Sequence, residues 1–360
     1  MLPLYACLYA LLFAFSSSLA IIPSQSLIMG YPSAVDVVET TTTNDQGICN
    51  NSNSKPDSII VDNIYNKLND TEKEQTARAS SYRYLKSSVN KPTPTNNEVV
   101  RAKYAKSQIE RYVLVEQKLY KSKSPDEWET LAYDKLKKTL VYREEKQIDD
   151  IRLCFDKDKL KQDDNNSVHA TLRNLLTGRF ANGASIIQGY TKDGQALFIN
   201  YARADTKWDA ESYIKGNIYM LERALACTER KTNGANDKVV VFYDYNGYRL
   251  KNSPPPLIVK ELLTILYEHW PERLNGVYVV DAPIIFRAFW AIIKHFIDPI
   301  TKELVHFVSG EEEKNIFREM ISPDQASSFM YNGGQNGGDD ITDNKDFFYD
   351  TPFDHANGEK

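Results

Sequence analysis

Cysteine pairs and catalytic signatures are both scarce in this chain. Its 360 residues include four cysteines, and no two of them have the spacing of a CxxC motif. Isolated thiols of this kind do not indicate a disulfide framework or a zinc site. The chain also lacks a Gly-x-Ser-x-Gly elbow, a phosphate loop ending in Gly-Lys-Ser/Thr, and a His-Glu-x-x-His motif. We therefore predict a binding protein with no catalytic residue, no metal ligand and no cofactor.

A strong excess of one charge is absent as well. The chain has 44 Lys and Arg against 49 Asp and Glu, which gives a formal net charge of -5. No basic stripe alternates with stacking aromatic residues, which is the pattern typical of nucleic-acid binding. We therefore predict no nucleic-acid partner, and any membrane contact must come from local apolar and basic patches.

Charged side chains are missing from the first 35 residues. An apolar run from Leu2 to Phe15 is followed by small residues up to Ala20, and this pattern is typical of a cleaved signal peptide. We predict a targeting signal over residues 1–20, which suggests the secretory pathway or entry into an organelle. An uncleaved signal anchor, a presequence cleaved near Phe15, and a cytoplasmic peripheral membrane protein are the alternatives.

Two segments have the composition of disordered chain. Residues 21–97 are rich in Ser, Thr, Asn, Asp and Pro, so they bury too little apolar area to offset their ordering entropy. Residues 334–360 begin in a glycine-rich stretch and form an acidic tail. We predict disorder in both segments, and a protein partner bound through them is one hypothesis.

Helical patterns fill residues 98–185, which we predict to form a helical lobe. Apolar residues recur there at helical spacing, with a break at Ser124-Pro125. Strand and helix patterns then alternate. The predicted elements are a hairpin over 186–190 and 196–201, strands over 238–243, 277–280 and 304–308, and helices over 210–226 and 257–270. Such alternation favours an α/β fold with a mostly parallel, mixed sheet flanked by helices.

The segment from Pro283 to Ile297 is the most unusual part of the chain. Eleven of its fifteen residues are apolar, and its polar side chains are Arg287, Lys294 and His295. A helix of that length spans roughly 22 Å, which is short for a bilayer. A surface helix normally keeps a polar face, so this segment must be buried on nearly all sides or must contact apolar surfaces.

Three motifs around this segment resemble the CRAL-TRIO lipid-binding domain family, which includes phosphatidylinositol and phosphatidylcholine transfer proteins. They are Glu268–Leu274, Val277–Pro283 and Phe296–Pro299, and the resemblance runs from about Asp193 to Gly334. It implies a lipid-binding domain over 186–333 whose sheet and helices enclose a hydrophobic pocket for one lipid. It also implies that the helix 283–297 gates this pocket.

The resemblance and the strand pattern together suggest a set of lining residues. On the strands they are Leu197, Ile199, Val239, Val241, Tyr278 and Val280, and on the gate helix Phe286, Phe289, Trp290, Ile293 and Phe296. Because alternate strand residues face opposite sides, we expect about half of the strand positions to be ordinary core.

The headgroup positions match the family only in part. The resemblance implies headgroup contacts from Glu272 and Thr301, and Arg273 either joins them or pairs with Glu272 as a structural pair. Leu304 stands where the family has a lysine that contacts inositol phosphate. Val239 and Val241 stand where choline-phosphate binders have hydroxyls. A buried phosphate without donors is costly, so these differences favour a sterol, an isoprenoid or a different phospholipid.

These observations predict that the chain binds one hydrophobic lipid and exchanges it at a membrane surface. The alternative is a lipid-sensing regulatory or adaptor protein without transfer activity, which the long flanking segments favour. A hydrolase with an unfamiliar site ranks third.

Overall fold

The computed structural model describes residues 56–90, 98–156, 167–205, 208–252, 254–283, 303–332 and 334. In this part of the chain a helical lobe precedes a five-stranded sheet with helices on one face. Within the same ranges no helix is both long and apolar enough to cross a bilayer.

The helical lobe is built from helices on both sides of the gap at residues 91–97. They are α1 (Ser58–Lys67), α2 (Asp70–Ser80), α3 (Tyr82–Asn90), α4 (Glu98–Leu119) and α5 (Pro125–Glu145). Four of them, α1, α2, α4 and α5, share a core in which Ile64, Ile109 and Leu136 are fully buried. The predicted break between α4 and α5 is confirmed, since Ser124 caps α5 and Pro125 begins it.

Helices α1 to α3 overturn one prediction: the disorder expected over residues 21–97 is wrong from Ser58 to Asn90. Ile60 and its apolar neighbours bury one side of α1 in the lobe core, which offsets the entropy of ordering. A capping box starts α2, because the Asn69 side chain accepts a hydrogen bond from the Glu72 amide at 2.9 Å and the Glu72 carboxylate accepts one from the Asn69 amide at 3.0 Å. The helical lobe therefore begins at residue 58 and not at 98.

Two short helices lead from the lobe into the sheet. The elements from there on are α6 (Ile148–Leu153), α7 (Val168–Phe180), β1 (Ser185–Tyr190), β2 (Ala196–Tyr201), α8 (Ala210–Lys231), β3 (Val239–Asp244), α9 (Pro256–His269), β4 (Leu274–Val280), β5 (Val305–Val308), α10 (Gly310–Glu313) and α11 (Asn315–Met320). The strand order is β1-β2-β3-β4-β5, with β1 antiparallel to β2 and the other neighbours parallel. The predicted α/β class, the hairpin and the three further strands are confirmed.

The sheet has a different cover on each face. Apolar residues of α7, α8 and α9 pack on one face and form the largest core of the described chain. The other face meets side chains from the segment 317–331, among them Phe317, Ile321 and Met330. Strands buried on both faces explain why the sequence shows continuous apolar runs here.

Candidate functional site

Four of the predicted lining residues share one face of the sheet. Leu197 and Ile199 on β2, and Tyr278 and Val280 on β4, are buried members of a single apolar cluster. The strand pairing sets Ile199 opposite Phe242, and Phe242 opposite Tyr278. We call this surface the floor face.

Stacked rings cross the floor face from strand to strand. The Phe242 and Tyr278 rings stack with centroids 5.2 Å apart, and the Tyr278 and His306 rings stack at 5.0 Å. Phe317 meets both Phe242 and Tyr278 edge-on at 5.3 Å. Burial lowers the pKa of His306, which keeps its ring neutral near pH 7. The floor face is therefore apolar and rich in aromatic rings across β3, β4 and β5, and Asp244 at the end of β3 is paired with Arg203.

Val239 and Val241 lie on the opposite face, which corrects the prediction that they line the same surface. Both belong to the core beneath α8 and α9, whereas Val240 and Phe242 belong to the floor face. A strand that is buried on both faces has no polar alternation, so its sequence does not tell which parity points to which side.

Glu272 lies just before β4, at the end of the sheet opposite Val280. Its Oε2 atom accepts hydrogen bonds from the Nζ atoms of Lys118, at 2.9 Å, and Lys238, at 3.3 Å. Two ammonium groups on one carboxylate leave an excess of one positive charge. Glu272 also has a φ of 57°, and such a left-handed backbone costs a residue with a Cβ about 1–2 kcal/mol. Sequence reasoning found Glu272 but missed both lysines, because Lys118 is 154 residues away in the chain.

Arg273 is buried and turned away from that carboxylate. Its guanidinium donates hydrogen bonds to the Ser80 carbonyl at 3.0 Å, to the Asp237 carbonyl at 3.2 Å and to the Gln108 side chain at 3.3 Å. Burial, and next the neighbouring Arg111, lower the pKa of Arg273 to about 9. Glu272 and Arg273 therefore hold different partners, and Arg273 has no exposed fork to offer a ligand.

The remaining predicted site residues lie outside the described part of the chain. They are Phe286, Phe289, Trp290, Ile293, Phe296 and Thr301. The gate and the threonine contact stay predictions.

Neither a metal site nor a reactive Cys154 thiol is found among the described residues. In those ranges no group of three or more His, Cys, Asp or Glu side chains is arranged to hold a metal ion. Cys154 and Cys227 are both buried. Burial raises the pKa of the Cys154 thiol far above its ordinary value, so it stays protonated and unreactive.

Comparison with protein families places a known domain on this part of the chain. The model of the CRAL/TRIO domain matches residues 180–333. This range begins at the end of α7 and takes in β1 to β5. The family model does not extend over α1 to α6.

Curated relatives match over similar stretches. A CRAL-TRIO domain-containing protein of Schizosaccharomyces pombe is 30% identical over 128 residues, 35% of this chain and 12% of that protein. The phosphatidylinositol transfer protein CSR1 of Eremothecium gossypii is 24% identical over 157 residues, 42% of this chain and 34% of CSR1. The alpha-tocopherol transfer protein-like protein of Homo sapiens is 29% identical over 140 residues, 37% of this chain and 38% of that protein. The chain thus spans well under half of each of these relatives.

Among solved structures, the crystal structure of Sfh5 aligns with a TM-score of 0.43 at 17% identity, covering 66% of this chain and 78% of Sfh5. Two of the three curated relatives are named as transfer proteins, and the prediction that the chain is not an enzyme agrees with those names.

Proposed function

Because the chain contains a CRAL/TRIO domain over residues 180–333, we propose that it binds a single lipid against the floor face and carries it between membranes. The observation that carries this proposal is the shared orientation of Leu197, Ile199, Tyr278 and Val280. They form an apolar and aromatic surface of the kind that receives hydrocarbon. The transfer proteins among the relatives support the same function.

Burial of hydrocarbon supplies the affinity. Each methylene removed from water contributes about 0.8 kcal/mol, so two acyl chains suffice without a covalent step. From Glu272 along β4 to Tyr278, six residue steps span roughly 20 Å at the rise of a strand. A lipid with its polar end near Glu272 therefore places its chains along β4, on the face that the segment 317–331 covers in this structure.

The two lysines beside Glu272 change the expected headgroup. The expectation of a ligand that needs few phosphate contacts rested partly on Val239 and Val241, which lie on the other face of the sheet. Lys118 and Lys238 supply cations beside Glu272 that could not be identified from the sequence. A charge-assisted hydrogen bond to phosphate is among the stronger polar contacts. The proposed ligand is therefore a phospholipid with an anionic headgroup.

Native mass spectrometry after incubation with mixed vesicles tests the ligand. The purified full chain should take up one lipid per molecule, and phosphatidylinositol should be taken up in preference to phosphatidylcholine. A protein that stays empty overturns the carrier function. Uptake of cholesterol or tocopherol alone would instead overturn the anionic headgroup while leaving a lipid carrier.

Transfer of a fluorescent lipid between vesicles separates the carrier from a lipid sensor. A carrier accelerates transfer at catalytic protein concentrations. Stoichiometric binding without acceleration would assign the chain to the lipid-sensing alternative.

The gate belongs to the same proposal, and its support is the apolar composition of residues 283–297. Replacing Phe289 and Trp290 by Asp places charges where apolar contact is needed, so lipid exchange should fall strongly. The matched control replaces Ile59 and Val99 by Asp, since these apolar side chains are 70% and 80% exposed on the helical lobe. A double Phe289/Trp290 variant that folds and transfers lipid at the normal rate would show that this helix is not the gate.

A further inference from the structure

Two charged dipeptides stand side by side at the amino ends of β3 and β4. Asp237-Lys238 precedes β3, Glu272-Arg273 precedes β4, and the amide of Val239 donates to the Arg273 carbonyl at 3.0 Å. Lys238 and Glu272 form the ion pair of the headgroup site, which we call the outer pair. Asp237 and Arg273 pair with each other at 3.6 Å, and we call them the inner pair.

The helical lobe holds the inner pair in place. Helix α2 ends at Ser80, whose carbonyl accepts from Arg273, and the Ala79 carbonyl accepts a longer bond at 3.4 Å. From α4, the Nε atom of Arg111 donates to Asp237 at 2.7 Å. Burial raises the pKa of Asp237, but Arg111 and Arg273 outweigh this effect and lower it to about 2. The Asp237–Arg273 pair therefore stays charged, and contacts from α2 and α4 hold it in place.

The outer pair has less support of its own. Glu272 is bound through one carboxylate oxygen to two lysines, whereas Arg273, which is 5% exposed, bonds to Ser80, Gln108 and the 43% exposed Asp237. The positive φ of Glu272 is a conformation that persists only where surrounding contacts impose it. The contacts next to it in the chain are those of Arg273.

We propose that Arg273 is the positioning residue of the headgroup site: its bonds to the end of α2 and to Asp237 impose the backbone turn that presents the Glu272 carboxylate to Lys118, Lys238 and the lipid headgroup. This inference rests on the proposed function. It makes helix α2, which lies outside the CRAL/TRIO match, part of what sets headgroup preference.

Arg273→Lys is the central test because it keeps the charge and removes the planar fork that reaches several acceptors at once. The full chain, wild type and variants, is incubated with vesicles of equal phosphatidylinositol and phosphatidylcholine content. Native mass spectrometry then gives the ratio of the two bound lipids and the total lipid bound. Glu272→Gln sets the ratio expected when the carboxylate no longer holds Lys118 and Lys238 in place.

The matched control is Arg179→Lys. Arg179 is a buried arginine of α7 that binds both carboxylate oxygens of Asp205, beyond the carboxyl end of β2. Replacing this buried arginine by Lys should destabilise the fold in the same way as Arg273→Lys does, but Arg179 lies away from Glu272. If circular dichroism shows that Arg273→Lys does not fold, Asp237→Asn takes its place, since it weakens the same inner pair at a half-exposed carboxylate.

The expected result is a ratio lowered by about fivefold in Arg273→Lys, with total bound lipid unchanged and no further loss on adding Glu272→Gln. Arg179→Lys should keep the wild-type ratio. A wild-type ratio in the folded Arg273→Lys or Asp237→Asn variant overturns the positioning role alone. A wild-type protein that binds both lipids equally overturns the headgroup role of Glu272 and the positioning role with it. A protein that binds neither lipid overturns the proposed function itself.

Discussion

Glu222 is a buried carboxylate in the seam between the helical lobe and the sheet, and replacing it by Gln tests how the two parts hold together. Glu222 is 3% exposed on α8. Its oxygens lie 2.9 Å from the Arg143 Nη1 atom, 3.0 Å from the Arg152 Nε atom and 2.9 Å from the Trp270 Nε1 atom. Losing the carboxylate charge leaves the buried guanidinium groups of Arg143 and Arg152 with the more exposed Asp149 as their shared carboxylate partner.

The pKa of Glu222 gives the size of the effect. Burial alone would raise it, but Arg152 and Arg143 outweigh burial and lower it from 4.5 to about 2. At about 1.4 kcal/mol per unit of pKa, this difference corresponds to about 3 kcal/mol. Removing one partner of a buried ion pair costs about 3–5 kcal/mol. We therefore expect Glu222→Gln to lower the free energy of unfolding by about 3 kcal/mol at pH 7.

The pH dependence has a definite sign. Since the folded pKa is the lower one, the contribution of Glu222 is complete above pH 4.5 and is lost as the pH falls towards 2. The difference between wild type and Glu222→Gln should therefore shrink over that window. Both proteins also lose stability there through other groups, so the comparison is made between them at each pH.

Urea denaturation followed by circular dichroism and by tryptophan fluorescence measures the effect. The control is Glu127→Gln, because Glu127 is exposed and pairs with Lys123 within one helical turn. A glutamine can take over its role in the capping box of α5, so the control should unfold like wild type. A Glu222→Gln midpoint equal to that of wild type at pH 7, with the same slope, would refute the assignment of Glu222 as a stabilising centre.

Three further changes have clear directions. Burial, and next Arg143, lower the pKa of His269 to about 4; wild type should therefore lose stability as the pH falls from 6.5 to 4, and His269→Gln should flatten that part of a curve of urea midpoint against pH. Gly194→Ala should lower the melting temperature, because Gly194 has a φ of 77° and an added Cβ would lie 2.6 Å from the Thr232 Cγ2 atom; an unchanged value would contradict that strain. Ser124→Ala removes the side-chain cap of α5 and should cost about 1 kcal/mol in urea unfolding, with Ser124→Asp retaining wild-type stability.

Much of the sheet could be predicted because its signals are local. The hairpin follows from Asp193-Gly194 between two apolar runs, and Gly194 does adopt the positive φ that the turn requires. The run Val239–Tyr243 was recognisable as a buried strand from its β-branched and aromatic residues. Which side chains of that strand point to which face of the sheet could not be predicted, because both faces are buried.

The helices before residue 90 were missed although part of their signal was present. Asn69 and Glu72 have the spacing of a capping box, and apolar residues at positions 60, 61 and 64 lie on one side of α1. The abundance of Ser, Thr and Asn in the wider segment outweighed these few positions. The lysines beside Glu272 could not be predicted for a different reason: Lys118 meets it only after the lobe has packed on the sheet, and Lys238 only after β3 has paired with β4.

The junction between α2 and α3 has a consequence for what counts as one folding unit. The carbonyls of Arg78 and Ser80 at the end of α2 accept hydrogen bonds from Arg152 and Arg273, and at the start of α3 the carboxylate of Glu229 accepts from the amide of Tyr82.

Charged side chains from later parts of the chain thus bind the backbone groups that the ends of these two helices leave without a partner inside the helix. The same backbone groups supply hydrogen bonds to those charged side chains. A polypeptide cut to the matched range 180–333 would keep Arg273 with its partner Asp237 but lose the Ser80 carbonyl that Arg273 binds, and it would leave Glu229 without the donors of Ser81 and Tyr82. The boundary that homology draws at residue 180 therefore falls inside a cooperative unit, and a fragment that keeps these contacts must include α2 and α3.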